Sequence, residues 1–255
     1  LLGVVSAEMP ALFNIEALKA QVVASRSFIL SQSNDRILNT TSGAQAYQDL
    51  YELSNKWNDK YNEYLSKMQK AIKETKNEVI KRDNKILRTY YFAMSNGYTE
   101  NSQTVFKQEL FESVKSDEGR DTKYKITLTL DEFKNKLNVG TVNIGEIKRN
   151  NTNHVEYIMI NNNKYSGIDF RKKLNLRSTD FNIEIKDNNV VIETNGYGHG
   201  VGMSQYGANA MAKKGYNYKE ILEETELPAR YVELEFTESS MFDNETVLRD
   251  TVDQL

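Results

Sequence analysis

The chain has 255 residues, no cysteine, two histidines and a formal net charge of −3. That composition excludes disulfides, thiolate metal sites and a histidine-rich zinc site, and it offers no basic footprint for nucleic acid. The length suffices for one large domain or two small ones, each with a buried core.

The chain opens on an apolar run, Leu1 to Ala7, that ends at Glu8-Met9-Pro10. Pro10 disfavours helical geometry at Met9, so a helix carried by the apolar residues should stop at the glutamate. Both the negative end of the helix dipole and a dry setting favour a protonated carboxyl, which is what a general acid needs near neutral pH. A glutamate pointing into solvent from a helix end is the plainer alternative. The run starts without a cap or polar lead, which suggests that a signal or anchor precedes it. No apolar run approaches the ~20 residues of a membrane span.

Asn14 can cap a second helix, running from Glu16 to Leu30. Its residues are small or apolar on nearly every side, so the helix should be central and Arg26 on it needs a partner. That partner is either a structural carboxylate or a group near Glu8 or the substrate. A loop from Ser33 to Gln45 leads to a long amphipathic helix with Leu50, Leu53, Trp57, Tyr61, Tyr64, Met68 and Ile72 on one face. Those residues, Trp57 included, read as packing.

From Asn77 the pattern turns to strands: Glu78–Ile80, a turn at Asp83-Asn84, then Ile86 through Met94. The loop Ser95 to Ser102 is dense in hydroxyl, amide and carboxylate groups and could rim a sugar site. Alternation continues from Tyr124 to Leu130, and Asp131 can cap a short helix through Phe133 and Leu137. Val155–Ile160, Phe181–Ile185 and Val190–Glu193 supply more strands between Asn-rich turns. Helices first and strands later define an α+β fold, helical over about 1–76 and strand-rich over about 77–222, with a tail at 223–255.

Gly196 to Gly207 holds five glycines in twelve positions directly after a predicted strand. Such backbone can approach a ligand or another strand closely. A helix should follow, ending at Lys213-Lys214 with Gly215 beyond it, so its N-terminal amides would be open to a ligand. The spacing fits neither a dinucleotide fingerprint nor a P-loop. His199 and Ser204 lack the nucleophile elbow and orienting acid of a catalytic dyad. A histidine locked by backbone hydrogen bonds is expected first, a substrate-orienting one second.

Glu8-Met9-Pro10 with Ala24-Ser25-Arg26-Ser27, and the block Gly198-His199-Gly200-Val201-Gly202-Met203-Ser204-Gln205-Tyr206-Gly207-Ala208, resemble the stage II sporulation protein D family, which includes amidase-enhancer relatives. Thr40-Thr41, Gln45-Ala46-Tyr47, Thr75 to Val79, Tyr98 to Ser102 and Asp169 to Leu174 agree as well, so the resemblance runs from Leu2 to about Leu222. It implies one catalytic domain acting as a peptidoglycan lytic transglycosylase in endospore engulfment, with Glu8 as the catalytic acid. The implied substrate is glycan stripped of stem peptides, cut between N-acetylmuramic acid and N-acetylglucosamine to leave a 1,6-anhydro end.

The resemblance also implies sporulation proteins P, an amidase, and M as partners. The implied location is the envelope space between mother-cell and forespore membranes, reached through an anchor outside this chain. Some relatives carry zinc ligands after the paired threonines; here Ser42-Gly43-Ala44 and Tyr47 stand there, so no metal or other cofactor is expected. The expected sugar contacts are Arg26, Tyr47, Ser95, Asn96, Glu100, Tyr197, His199, Ser204 and Gln205. Two alternatives remain: a hydrolase with a water activated by Glu100, and a noncatalytic glycan-binding module that enhances a partner amidase.

Overall fold

A computed structural model of the chain describes residues 1–32, 45–106, 122–225 and 233–236. The chain divides into two units, Leu1–Thr89 with Arg230–Leu255, and Tyr90–Ala229. The expected loop from Ser33 lies outside the described residues up to Ala44, as does the tail beyond Thr225 apart from the short stretch 233–236.

The first unit begins with α1 (Leu2–Glu8) and α2 (Ile15–Gln32). α1 stops at the glutamate as expected: Met9 is extended, with φ −124° and ψ 137°, and its N–H closes the last turn on the Val5 carbonyl. α2 is the central rod, and eleven of its residues, from Ala17 to Phe28, are buried. The expected single helix after it is broken. α3 (Leu50–Trp57) ends in a 3₁₀ turn at Asn58–Lys60, and α4 (Tyr61–Glu74) resumes the same apolar stripe. Asn58 takes φ +44°, a conformation asparagine tolerates better than most residues. Trp57 is buried at the break and packs edge-on to Tyr64, a core role as expected.

A hairpin follows, β1 (Glu78–Arg82) and β2 (Lys85–Ile86), turned by Asp83 and Asn84, both at positive φ. The long strand expected from Ile86 to Met94 is not formed; only its ends pair, and Leu87 to Tyr90 cross in irregular backbone.

The second unit carries β3 (Tyr91–Phe92), α5 (Ser102–Phe106), β4 (Lys123–Thr129), α6 (Leu130–Leu137), β5 (Ile144–Arg149), β6 (Val155–Ile160), β7 (Asn163–Ser166), α7 (Gly167–Leu174), β8 (Phe181–Lys186), β9 (Asn189–Asn195), β10 (Met203–Ser204), α8 (Gln205–Lys213) and α9 (Tyr218–Glu224). Its strands form two antiparallel three-stranded sheets, ordered β4-β9-β8 and β5-β6-β7, and a short parallel pair, β10-β3. Asn161-Asn162 and Asp187-Asn188, all at positive φ, turn two of the hairpins. The cap lies two residues before the expected Asp131: Thr129 caps α6 in a reciprocal pair with Glu132. One core joins both sheets to α6 and α7, through Phe133, Ile158, Phe170, Phe181 and Ile192, with Phe170 stacked on Phe181 at 5.2 Å. The last strand, β11 (Glu233–Phe236), pairs antiparallel with β1, so part of the tail belongs to the first unit. No helix among the described residues is long and apolar enough to cross a membrane.

Candidate functional site

In the first unit Glu8 is half-buried at the end of α1. The Ala46 N–H donates to its Oε1 at 2.5 Å. Burial pushes the Glu8 carboxyl above its ordinary range, and the Ala46 hydrogen bond pulls it back only in part. The segment carrying Ala46 lies along α1. The Gln48 N–H donates to the Gly3 carbonyl at 3.2 Å, and Lys56 Nζ bridges the Ser6 carbonyl and Gln48 Oε1 at 3.0 and 2.8 Å. Close approach requires glycine at position 3, where a Cβ would sit 2.3 Å from the Gln48 carbonyl oxygen and 2.6 Å from the Tyr47 ring. Tyr47, more than half exposed, is thereby placed on the stretch that binds Glu8.

Two buried polar side chains lie on the segments that carry Glu8 and Ala46. Gln45 is buried with neither amide atom hydrogen-bonded, and the buried Ser6 hydroxyl on α1 has no partner among the described residues either. Arg26 is buried, but its partners are two main-chain carbonyls, Thr75 at 2.7 Å and Glu78 at 2.8 Å. It closes the C-terminal end of α4 onto the start of β1. The charge of the buried Glu78 carboxylate supports the guanidinium as well, which is the structural carboxylate expected of it.

In the second unit the glycine-rich segment is a packing device. Its backbone runs against Tyr90 to Glu100: Met94 and Tyr197 exchange both main-chain hydrogen bonds, the Met203 N–H donates to Tyr90, and the Glu100 N–H donates to Gly200. At Gly202, φ is +78° and a Cβ would lie 2.1 Å from the Tyr90 carbonyl oxygen; at Gly200 it would meet Glu100 Cγ at 2.7 Å. Of the two expected close approaches, to a ligand or to another strand, these contacts are the second. Two of the expected open amides at the start of α8 are also spoken for. Ser204 caps the helix by accepting from the Gly207 N–H, and the Tyr206 N–H donates to the Ala93 carbonyl. Gln205 is buried beside it.

His199 follows the backbone-locked expectation. Its Nδ1 accepts from the Val201 N–H at 3.0 Å, which puts the proton on Nε2, and the Tyr91 backbone also hydrogen-bonds the ring. Burial and the nearby Arg171 charge push its pKa down to about 4, so the ring is neutral at physiological pH.

Glu100, Ser95 and Asn96, expected at a sugar rim, direct polar groups into the unit. The buried Glu100 carboxylate accepts from Asn150 Nδ2 at 2.9 Å and from the Thr152 hydroxyl, and His154 Nε2 lies 3.8 Å away. The Ser95 hydroxyl donates to the Tyr98 carbonyl and accepts from the Gly97 N–H. Asn96 Nδ2 donates to the Thr152 carbonyl and to Asp180. A water-activating base needs a free lone pair facing substrate, and Glu100 spends its oxygens internally. Tyr197, 45% exposed, is the member of this set that faces outward.

The sequence model of the SpoIID stage II sporulation protein family matches residues 1–81, a stretch inside the first unit that contains Glu8, Arg26 and Tyr47. The match extends well past that stretch in individual relatives, and the chain belongs to the stage II sporulation protein D family. It is 38% identical over 239 residues to stage II sporulation protein D of Bacillus subtilis, covering 87% of this chain and 70% of that protein. The figures are the same for the Bacillus amyloliquefaciens protein of that name. The Bacillus subtilis protein named amidase enhancer is 26% identical, over 86% of this chain and 38% of its own length.

Proposed function

We propose that the chain is a peptidoglycan lytic transglycosylase that cuts stem-peptide-free glycan strands between N-acetylmuramic acid and N-acetylglucosamine during engulfment. The observation that supports this most is Glu8, a carboxyl whose protonated form is favoured by burial at a helix end, with one oxygen oriented by the Ala46 N–H. Ordinary glycosidases pair two carboxylates. A transglycosylase needs one. Protonated Glu8 gives its proton to the glycosidic oxygen as the bond to the muramic acid C1 breaks. The C6 hydroxyl of the same sugar then bonds to C1 and returns its proton to the Glu8 carboxylate, restoring the acid and leaving a 1,6-anhydro end. No water is consumed, which accords with the absence of an available base at Glu100.

The membership in a sporulation family favours the same setting. We assign the chain to the envelope between mother-cell and forespore membranes, held there by an anchor outside this chain. It would act after an amidase of the sporulation protein P kind has removed stem peptides, alongside sporulation protein M. Mass spectrometry of stem-free strands after incubation tests the reaction. Anhydro ends made by the wild type and lost in Glu8→Gln support it; reducing ends would mean hydrolysis. The amidase-enhancer relative favours a second reading, a glycan-binding module that stimulates an amidase without cutting glycan. That reading is supported if no new ends form while amidase turnover still rises in the presence of the Glu8→Gln protein.

A further inference from the structure

In the second unit the Arg177 guanidinium lies 3.5 Å from the centre of the Tyr124 ring and 5.3 Å from that of Tyr197. Both rings are well exposed, at 41% and 45%. The backbone of Arg177 is tied to the glycine-rich segment, because its carbonyl accepts from the Gly198 N–H at 2.9 Å. Its side chain has neither a hydrogen bond nor an ion pair with any described residue. On the strand paired with that of Tyr124, Glu193 faces Lys123 at 3.7 Å. A second arginine, Arg171, donates its Nε to the Leu176 carbonyl, has no carboxylate within 4 Å among the described residues, and lies within electrostatic reach of Tyr197.

An arginine stacked on one aromatic ring and beside a second, with no hydrogen bond of its own, keeps its N–H donors available for forked recognition of a carboxylate. Exposed tyrosine faces beside it suit the apolar faces of sugar rings. A glycan strand supplies both groups. Each muramic acid carries a lactyl group whose carboxylate is free when the stem peptide is absent and is a neutral amide when the peptide is attached.

We propose that Tyr124, Arg177 and Tyr197 form a glycan subsite in which Arg177 pairs with the free lactyl carboxylate of muramic acid, so that this unit reads the absence of a stem peptide. The subsite rests on the glycan-strand reading above for its ligand, but not on the chemistry at Glu8. It makes substrate choice a matter of charge: the peptide-bearing strand loses the carboxylate and leaves the guanidinium facing an amide.

The test is equilibrium binding to the Glu8→Gln protein, which removes cutting from the measurement. Two probes are used: stem-free glycan strands, and the same strands with their carboxylates converted to methylamides. The expected result is about tenfold tighter binding of the carboxylate strands, equivalent to about 1.4 kcal/mol. Adding Arg177→Gln should abolish that difference and leave binding of the methylamide strands unchanged, with an unaltered melting temperature. Arg177→Lys should retain only a small part, because a point charge replaces the fork. Equal binding of the two strands, or a preference that survives Arg177→Gln, overturns the subsite. A folding defect in Arg177→Gln is separated by the methylamide probe, whose binding would then fall too; Tyr197→Ala, which should weaken both strands, then carries the test. Failure of the transglycosylase reading, by contrast, would show as missing anhydro ends with the Arg177-dependent preference intact.

Discussion

Glu8 and Glu100 are both carboxyls withdrawn from solvent, one in each unit, and their surroundings could hardly differ more. Around Glu100 donors fill the carboxylate: an asparagine amide and a threonine hydroxyl hydrogen-bond to it, and a histidine ring stands 3.8 Å away. Around Glu8 the loss of water outweighs the hydrogen bond from Ala46, so the proton is held more tightly than in an ordinary glutamate. A saturated carboxylate is a strut, and a carboxyl whose burial outweighs its hydrogen bonding is poised to give up and retrieve a proton.

The contrast breaks first at the level of activity. Glu8→Gln should lower anhydro-end formation by about 10²–10⁴-fold, the range general acids contribute, with the fold intact by circular dichroism. Glu100→Ala should do the reverse. It strips a buried polar cluster of its anion and should cost about 3–5 kcal/mol in urea unfolding, while protein that remains folded keeps its turnover at Glu8. If Glu100→Ala unfolds no more easily than wild type, its role as a strut is wrong.

A pH titration sharpens the comparison. His199 has an ordinary pKa of 6.5 and a folded value of about 4, so between those values the unfolded chain binds the extra proton. Stability from this group is therefore full above pH 6.5 and is lost as pH falls toward 4, by on the order of 3 kcal/mol. His199→Gln should flatten the acid side of the stability curve. His154, also depressed by burial, has the same sign and should leave a smaller residual slope.

Much of this was readable in the chain. The stop at Glu8 followed from Pro10, the hairpin turns from Asp-Asn and Asn-Asn pairs, and the end of α8 from Gly215. Other features depended on distant partners. Arg26 could be seen to need a counterpart, and the Glu78 charge is one, but its hydrogen bonds go to the carbonyls of residues 75 and 78, and sequence spacing carries no trace of carbonyl direction. The apolar stripe from Leu50 to Ile72 has one period across the 3₁₀ turn at Asn58–Lys60, so periodicity passes straight over the break. The glycines announced a close approach without saying to what, because a ligand and the Tyr90–Glu100 segment demand the same missing Cβ. Gln45, Ser6 and the cationic stack at Arg177 are made of ordinary residues, and only their placement distinguishes them.

The smallest effect bears most directly on how Glu8 is kept ready. A carboxyl whose pKa is raised on folding binds more protons in the folded chain than in the unfolded one. Its contribution to stability is therefore present at low pH and falls as pH rises above 4.5, so at neutral pH the native state carries Glu8 at a cost. Glu8→Gln keeps the shape and the acceptor for the Ala46 N–H but has no charge to desolvate. The variant should melt higher than wild type at pH 8, by about 1 kcal/mol of added stability, the size commonly released when a strained functional residue is relaxed. At pH 4, where wild-type Glu8 is already protonated, the gain should vanish. Matched calorimetry at the two pH values measures it. A gain that is the same at both would mean that the carboxyl is not held above its ordinary range, and would remove the physical basis for treating Glu8 as the acid.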